Sequence, residues 1–385
     1  DHRDLHSFPT RRSSDLKWLF VSEMMIGFLF AAWVIMQLLK GLPKEKIKTG
    51  FHLPIILYIS YCVLNLFHTY IFWDPAVSRE YQFLQVNIIE LGLRILSVGG
   101  FFMMATTISN NKWLKVVSVV LFVPGIYNLL NAIAGQPIPI QTPWWSLLCF
   151  LPVGFAWITV LDKDKQIWIK LGSAILTATA VFIVLFKSIS WVSGWIGLIT
   201  TLFAATFFKS KKVFAVLMVV CIILLGINWN FFNNKVFKSS QEEGDYDRFS
   251  LMRGSLLYAE HFPLGVGIGN YRSYNTYHYG EIWGTTGYTS AHGTYSQHLA
   301  ETGFPGTIIF ISIMVCGGIW LYKEQKKLPD GFSKNFVIAS LAQLIGISIS
   351  AFIGDYIIPT YHNGGIVTFS ATIYSWLIWG VATAH

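Results

Sequence analysis

The sequence predicts an all-α polytopic membrane protein, and three observations carry that prediction. Of its 385 residues, 54% are hydrophobic and only 12% are charged, about half the charged fraction of roughly 25% found in soluble domains. The apolar residues fall into eleven runs, each close to the roughly 20 residues a helix needs to cross a hydrocarbon core of about 30 Å. Lysines, finally, gather in alternate loops between those runs. A water-soluble globule is therefore excluded. The net charge of +8 reads as a topology signal, not as a nucleic-acid surface.

Residues 1–16 read DHRDLHSFPTRRSSDL, resemble a translated sequencing adapter, and are set aside as a non-native scar, lacking the apolar centre of a signal peptide. The apolar runs follow at about 18–39, 51–73, 83–107, 114–134, 144–161, 168–187, 190–208, 213–232, 306–322, 335–353 and 365–383. After the first run come Lys40, Lys44, Lys46 and Lys48; after the third, Lys112 and Lys115; after the fifth, Lys163, Lys165 and Lys170. Lys209, Lys211 and Lys212 follow the seventh, and Lys323, Lys326, Lys327 and Lys334 the ninth. The short loops of the other side hold only Arg79 and Lys187. This bias assigns the lysine-rich loops to the cytoplasm. It leaves the first run starting outside, so a further helix upstream, twelve in all, is expected of the intact protein. Cys62, Cys149, Cys221 and Cys316 all lie within apolar runs, without the spacing of a zinc site or a disulfide framework.

One long connection, residues 233–305, falls on the outer side and holds eight of the seventeen tyrosines. Long loops in compact chains are usually functional. The apolar positions Phe249, Leu251, Met252, Leu256 and Leu257 predict a helix over 248–260, capped by Asp247 and stopped before Pro263. Arg248 and Arg253 lie on different flanks of it. The turn PLGVGIGNY after it lets backbone approach something bulky; with no preceding βαβ strand it is weak evidence for phosphate binding. The segment AHGTYSQHLAETGFPG, residues 291–306, reads as a second helix beginning at His292. His298 lies about 240° round that helix from His292, so the two do not share a site. Glu90 and Arg94, four apart in the third run, predict a structural ion pair along one helix face. Asp245-Tyr246-Asp247 has the form of a DxD metal motif, but the acidic run reads better as a helix start, and neither a metal nor a cofactor is assigned.

These residues carry a family resemblance. Arg248, Arg253-x3-Leu257, the run from Pro263 through Gly265, Gly267 and Gly269 to Tyr271, and His292-x10-Gly303 followed by Gly306 resemble the C-terminal signature of the O-antigen ligase and polymerase superfamily. The resemblance implies transfer of an assembled glycan from a polyprenyl-diphosphate carrier to a lipid or glycan acceptor on the periplasmic face of the bacterial inner membrane. The family's Ser-Arg-x-x-Trp-like element reads Lys187-Ser188-Ile189-Ser190-Trp191 here. No arginine is present, and Lys187 supplies the positive charge without the planar fork of a guanidinium.

The expected division of labour follows. Arg248, Arg253, Lys187 and Tyr271 bind the diphosphate donor, since a fixed cation stabilises charge on the leaving group. His292 acts as general base or orients the acceptor, as an imidazole with an unperturbed pKa of about 6.5 is suited to do. Gly265, Gly267, Gly269, Gly303 and Gly306 shape the motif. Asp355 and Tyr361, in the last outer loop, are candidates to border the acceptor path; His68 and His362 have no assigned role. The competing reading is a polysaccharide or lipid transporter. It fits less well, because the ionisable residues cluster in one loop instead of near the midplane and no inverted repeat is visible.

Overall fold

The computed structural model describes residues 16–41, 49–79, 83–108, 110–134, 145–184, 192–232, 246–278, 290–360 and 367–384. Helices and the turns between them make up these residues, with no strand among them. Each of the eleven apolar runs is helical. The first seven are α1 (Leu16–Lys40), α2 (His52–Ile71), α3 (Phe83–Thr107), α4 (Asn111–Ala134), α5 (Trp145–Leu161), α6 (Ile167–Phe182) and α7 (Val192–Lys209). The eighth is α8 (Lys211–Ile227), followed by the single turn α9 (Trp229–Phe232). The outer connection supplies α10 (Tyr246–His261) and α11 (Tyr271–His278), and the last runs lie in α12 (Thr294–Lys327), α13 (Phe332–Ser350) and α14 (Val367–Ala382).

Six of these, α2, α3, α4, α7, α12 and α13, are long and apolar enough to cross a bilayer, with shorter apolar helices beside them. The chain is a multi-pass membrane protein. Residues 1–42 form one compact unit and residues 43–385 another; the second contains every residue discussed below. Apart from Leu16, the segment read as a scar lies outside the described residues.

The helix expected over 291–306 does lead into the ninth run, the two forming α12, whose polar but buried first segment continues into the apolar span. Two local expectations are corrected. Asp247 lies inside α10 and does not cap it, since the helix already includes Tyr246. His292 precedes α12, whose N-cap is Gly293.

Inside the second unit, α7 packs along α13, α3 along α14, and α5 against α4, α6 and α7. Small residues let the backbones approach: a Cβ on Gly346 of α13 would stand against Thr201 and the carbonyl of Gly197 on α7. This is the mode of helix association that apolar solvent favours, because burial alone drives nothing together in lipid. Phe51, Phe101, Trp376 and Trp379 fill the space between α2, α3 and α14.

The helices bring the α5–α6, α7–α8 and α12–α13 connections, with their lysines, to one end. There Lys209 Nζ lies 3.6 Å from Asp162 Oδ2 and donates to Asn335 Oδ1 at 3.0 Å. The Asn335 amide donates in turn to Asp162 at 3.0 Å, and Ser333 reaches Asn111 at the start of α4. Burial raises the Asp162 carboxyl, but the Asn335 amide, the Asp164 N–H and the lysines outweigh it and hold the group below its ordinary range. Opposite this end, residues 262–278 and 290–304 meet the end of α2 and the start of α3.

Asp162→Ala leaves the buried Asn335 amide without its acceptor and should lower stability by about 1–3 kcal/mol. Thermal unfolding of the detergent-purified protein checks this. Because the folded-state carboxyl is depressed, its contribution is present above the ordinary carboxylate range and is lost as pH falls through it. The gap between wild type and variant should therefore narrow in acid.

Candidate functional site

The Gly-rich turn between α10 and α11 is built for close contact. Gly265, Gly267 and Gly269 all have φ near +77° to +96°, a region closed to most side chains. Added Cβ atoms would run into the Glu301 carbonyl at Gly265 and into Thr69 Oγ1 at Gly267. The turn is pinned on two sides. Val266 and Gly267 donate to the carbonyls of Ala300 and Glu301 at 2.9 and 2.8 Å. On α2, the Asn65 amide donates to the Leu264 carbonyl at 2.9 Å while its oxygen accepts from Ile268 N–H at 3.1 Å. Gly265 and Asn270 N–H bond to Phe262 and Gly267 carbonyls. Five of the six backbone donors from residue 265 to 270 are thus committed to protein acceptors. The turn is a packing device and not an amide cradle for phosphate.

The bulky object it embraces is a kink in α12. Gly303 leaves the helical region with φ 64° and ψ −167°, Phe304 N–H donates to the Pro263 carbonyl at 3.1 Å, and a Cβ on Gly303 would strike that same carbonyl. Gly306, one turn on, makes room for Thr302 and the Tyr61 ring of α2. Just before the kink, Glu301 is fully buried. Its carboxylate accepts from Arg94 Nη2 of α3 at 2.8 Å and from Gln297 Nε2 at 2.6 Å. The charge partner that closes on Arg94 is therefore Glu301, not the i,i+4 neighbour Glu90, which is also buried one turn away. Arg94 Nη1 donates to Tyr58 OH at 3.3 Å. Since His298 Nδ1 faces the Thr294 carbonyl at 2.9 Å, it carries the proton, and Nε2 accepts from Tyr58 at 2.5 Å. His298 is a structural member of this network, apart from His292.

His292 stands at the edge of the same layer. It is half-buried and has φ 48°, the positive value outside glycine among the described residues, a conformation that costs of order 1–3 kcal/mol unless its surroundings enforce it. They do. Ala291 N–H donates to Gln297 Oε1 at 2.8 Å, and His292 N–H to Ser290 Oγ at 3.1 Å. Ser290 donates onward to Asp355 at 3.2 Å. Thr294 bonds the carbonyls of Ala351 and Gly354, and Tyr356 meets Ser193 at the start of α7.

The other expected residues are distributed as follows. Arg253 is exposed on α10, on the side that also shows Met252 and Leu256, while Leu251, Ser255, Tyr258 and Ala259 are buried. Arg248 lies on the first turn of the same helix; its side chain, like that of Asp247, is outside the described residues. So are Lys187, Asp245, Tyr361 and His362. Tyr271 is buried edge-on to Tyr258, and its hydroxyl has no hydrogen-bond partner among the described residues. Burial, then the neighbouring Tyr258 and the carboxylates of Asp355 and Glu301, push the Tyr271 phenol far up. Beside the Gly-rich turn a cleft of about 240 Å³ is lined by His68, Phe72, His261, Phe262, Leu264 and Tyr274.

Residues 144–311, the stretch that contains α5 to α11, His292 and the kink, match the O-antigen ligase family model. Over that segment, less than half of its length, the chain is similar to the O-antigen ligase family. No curated protein matches the chain. The family match supports a glycosyl-transfer role in surface polysaccharide assembly. It ends short of several residues that shape the site: Asn65, Arg94 and Asp355 all come from outside the matched segment. Sequence reasoning passed over Asn65, Gln297 and Glu301. The readable signal was weak but real, namely an amide alone in an apolar run and two polar residues four apart just before a helix-breaking Gly-x-Pro.

If the turn serves packing, Gly267→Ala should abolish stable folding or lower the unfolding midpoint by many degrees. Gly92→Ala, where a Cβ meets nothing within 4 Å, should be nearly neutral. Thermal unfolding of both variants in detergent separates the two cases.

Proposed function

We propose that the protein is a metal-independent glycosyltransferase of the inner membrane that moves an oligo- or polysaccharide from a polyprenyl-diphosphate carrier to an acceptor on the periplasmic face. The observation that carries the proposal is the placement of His292 and the Arg248–Arg253 helix within the family-matched segment, at the end opposite the lysine-rich loops. The lysine bias assigns that end to the outside, and α10, the helix that carries the arginines, packs directly on α12.

The chemistry needs few parts. The acceptor hydroxyl oxygen attacks the anomeric carbon, the bond from that carbon to the diphosphate oxygen breaks, and the pair leaves with the lipid diphosphate. Arg253 and Arg248 meet the charge that develops on the leaving group, a task for which a planar guanidinium is better suited than an ammonium. His292 takes the acceptor proton. Tyr271, expected to touch the donor, is instead buried against Tyr258 and supports this layer from within.

Topology is testable directly. In a cysteine-free background, Tyr277→Cys, exposed on α11, should react with a membrane-impermeant maleimide in intact spheroplasts, and Lys326→Cys only after permeabilisation. The reverse pattern would remove the enzyme reading along with the orientation.

The roles separate in single-turnover transfer from a polyprenyl-linked glycan, run in EDTA. Wild type should keep its full rate in the chelator. Arg253→Lys should weaken donor binding. His292→Ala should bind donor normally yet lose about 10²–10⁴-fold in rate; transfer at the wild-type rate would refute the assignment.

A further inference from the structure

Gln297 joins the buried ion pair to the histidine. Its amide oxygen accepts from Ala291 N–H at 2.8 Å, immediately before His292, and its amide nitrogen donates to Glu301 at 2.6 Å. The second Glu301 oxygen takes Arg94 at 2.8 Å. All three of these side chains are buried. Only one orientation of the Gln297 amide makes both bonds, because Ala291 offers a donor and the carboxylate, held by donors from Arg94 and Gln297, can only accept.

We propose that Glu301 and Gln297, anchored by Arg94, are positioning residues that hold the backbone of His292 in its left-handed conformation and so set the place of its imidazole. The inference rests on the role given to His292 above. The carboxylate's negative charge dictates which way the amide of Gln297 faces. The amide fixes Ala291, and Ser290 with Asp355 fixes the other side of the histidine's own N–H. A lost bond in this line frees a strained residue to relax. Misplacement by about 1 Å can cost on the order of a hundredfold in rate.

The near-isosteric Glu301→Gln tests this. An amide at 301 has one acceptor for two donors. If its oxygen serves Arg94, its nitrogen faces the Gln297 nitrogen, Gln297 turns over, and Ala291 N–H loses its acceptor. Turnover should fall on the order of a hundredfold, with binding of the lipid-diphosphate donor within about twofold of wild type. The double variant Gln297→Glu with Glu301→Gln restores each donor to an acceptor: Arg94 to the new amide oxygen, that amide's nitrogen to the new carboxylate, and Ala291 N–H to the carboxylate's other oxygen. It should recover at least about tenfold of the loss. Gln297→Met leaves the Arg94–Glu301 pair whole, and it decides the matter if Glu301→Gln does not fold.

Wild-type turnover in Glu301→Gln or in Gln297→Met overturns the proposal. So does a folded double variant that recovers nothing, or a parallel loss of donor binding, turnover and thermal stability, which would mark the network as scaffold alone. His292→Ala run alongside separates the two readings. If it loses turnover while Gln297→Met does not, only the positioning role fails. If it transfers glycan normally, the function assigned to His292 fails first.

Discussion

The Glu301 carboxylate is the constraint on which the outer layer depends. A buried charge in an apolar surrounding is costly, and it persists only where donors surround it. Here those donors come from α3 and from the preceding turn of its own helix, while the carbonyl of the same residue holds Gly267 of the Gly-rich turn in place. The net stabilisation from such a pair is small, but leaving one partner behind costs about 3–5 kcal/mol. Three elements far apart in sequence are therefore locked to one another by a group that none of them can relinquish alone. The kink at Gly303 follows from this arrangement, because the backbone must open there to admit Pro263.

The two ends of the bundle are held by different chemistry. At the lysine-rich end, Asp162, Lys209 and Asn335 form a small, partly solvated cluster of charge and amide. At the other end the polar groups are buried deeper and tie separate elements together: Asn65 clamps a loop with both halves of its amide, and Ser290 joins a histidine backbone to a carboxylate. A charged cluster near the solvent at one end and an internal polar network at the other is the arrangement expected where one end serves orientation in the membrane and the other has to preserve a geometry.

Much of the fold was legible in the sequence, since a 20-residue apolar run has few structures open to it when every backbone group must be bonded internally. Helix α10 was equally readable from its apolar spacing. The first segment of α12 was readable as a helix over 291–306, but not the reason so polar a stretch is buried: only the tertiary bonds of Gln297, His298 and Glu301 sustain it there. Arg94 illustrates the limit best. Local spacing offered Glu90 as its partner, and no rule of spacing could nominate Glu301, which lies two hundred residues away. The glycines of the motif were legible as residues needing unusual backbone, but the object they pack against could be named only once α2, α3 and α12 were in place.

The length of α12 has a consequence for where substrate is met. From Lys327 back to Gly303 the helix rises about 37 Å at roughly 1.5 Å per residue, already more than the hydrocarbon thickness of about 30 Å. On the orientation and donor proposed above, the kink coincides with the point at which the helix leaves the acyl chains, and Glu301, Gln297 and His292 sit at headgroup depth, level with the phosphates of ordinary lipids. A long isoprenoid chain then stays dissolved in its own leaflet while its charged end rests against this layer. Such an arrangement spares the protein from lifting its donor out of the membrane and leaves it only to find that donor by sideways diffusion.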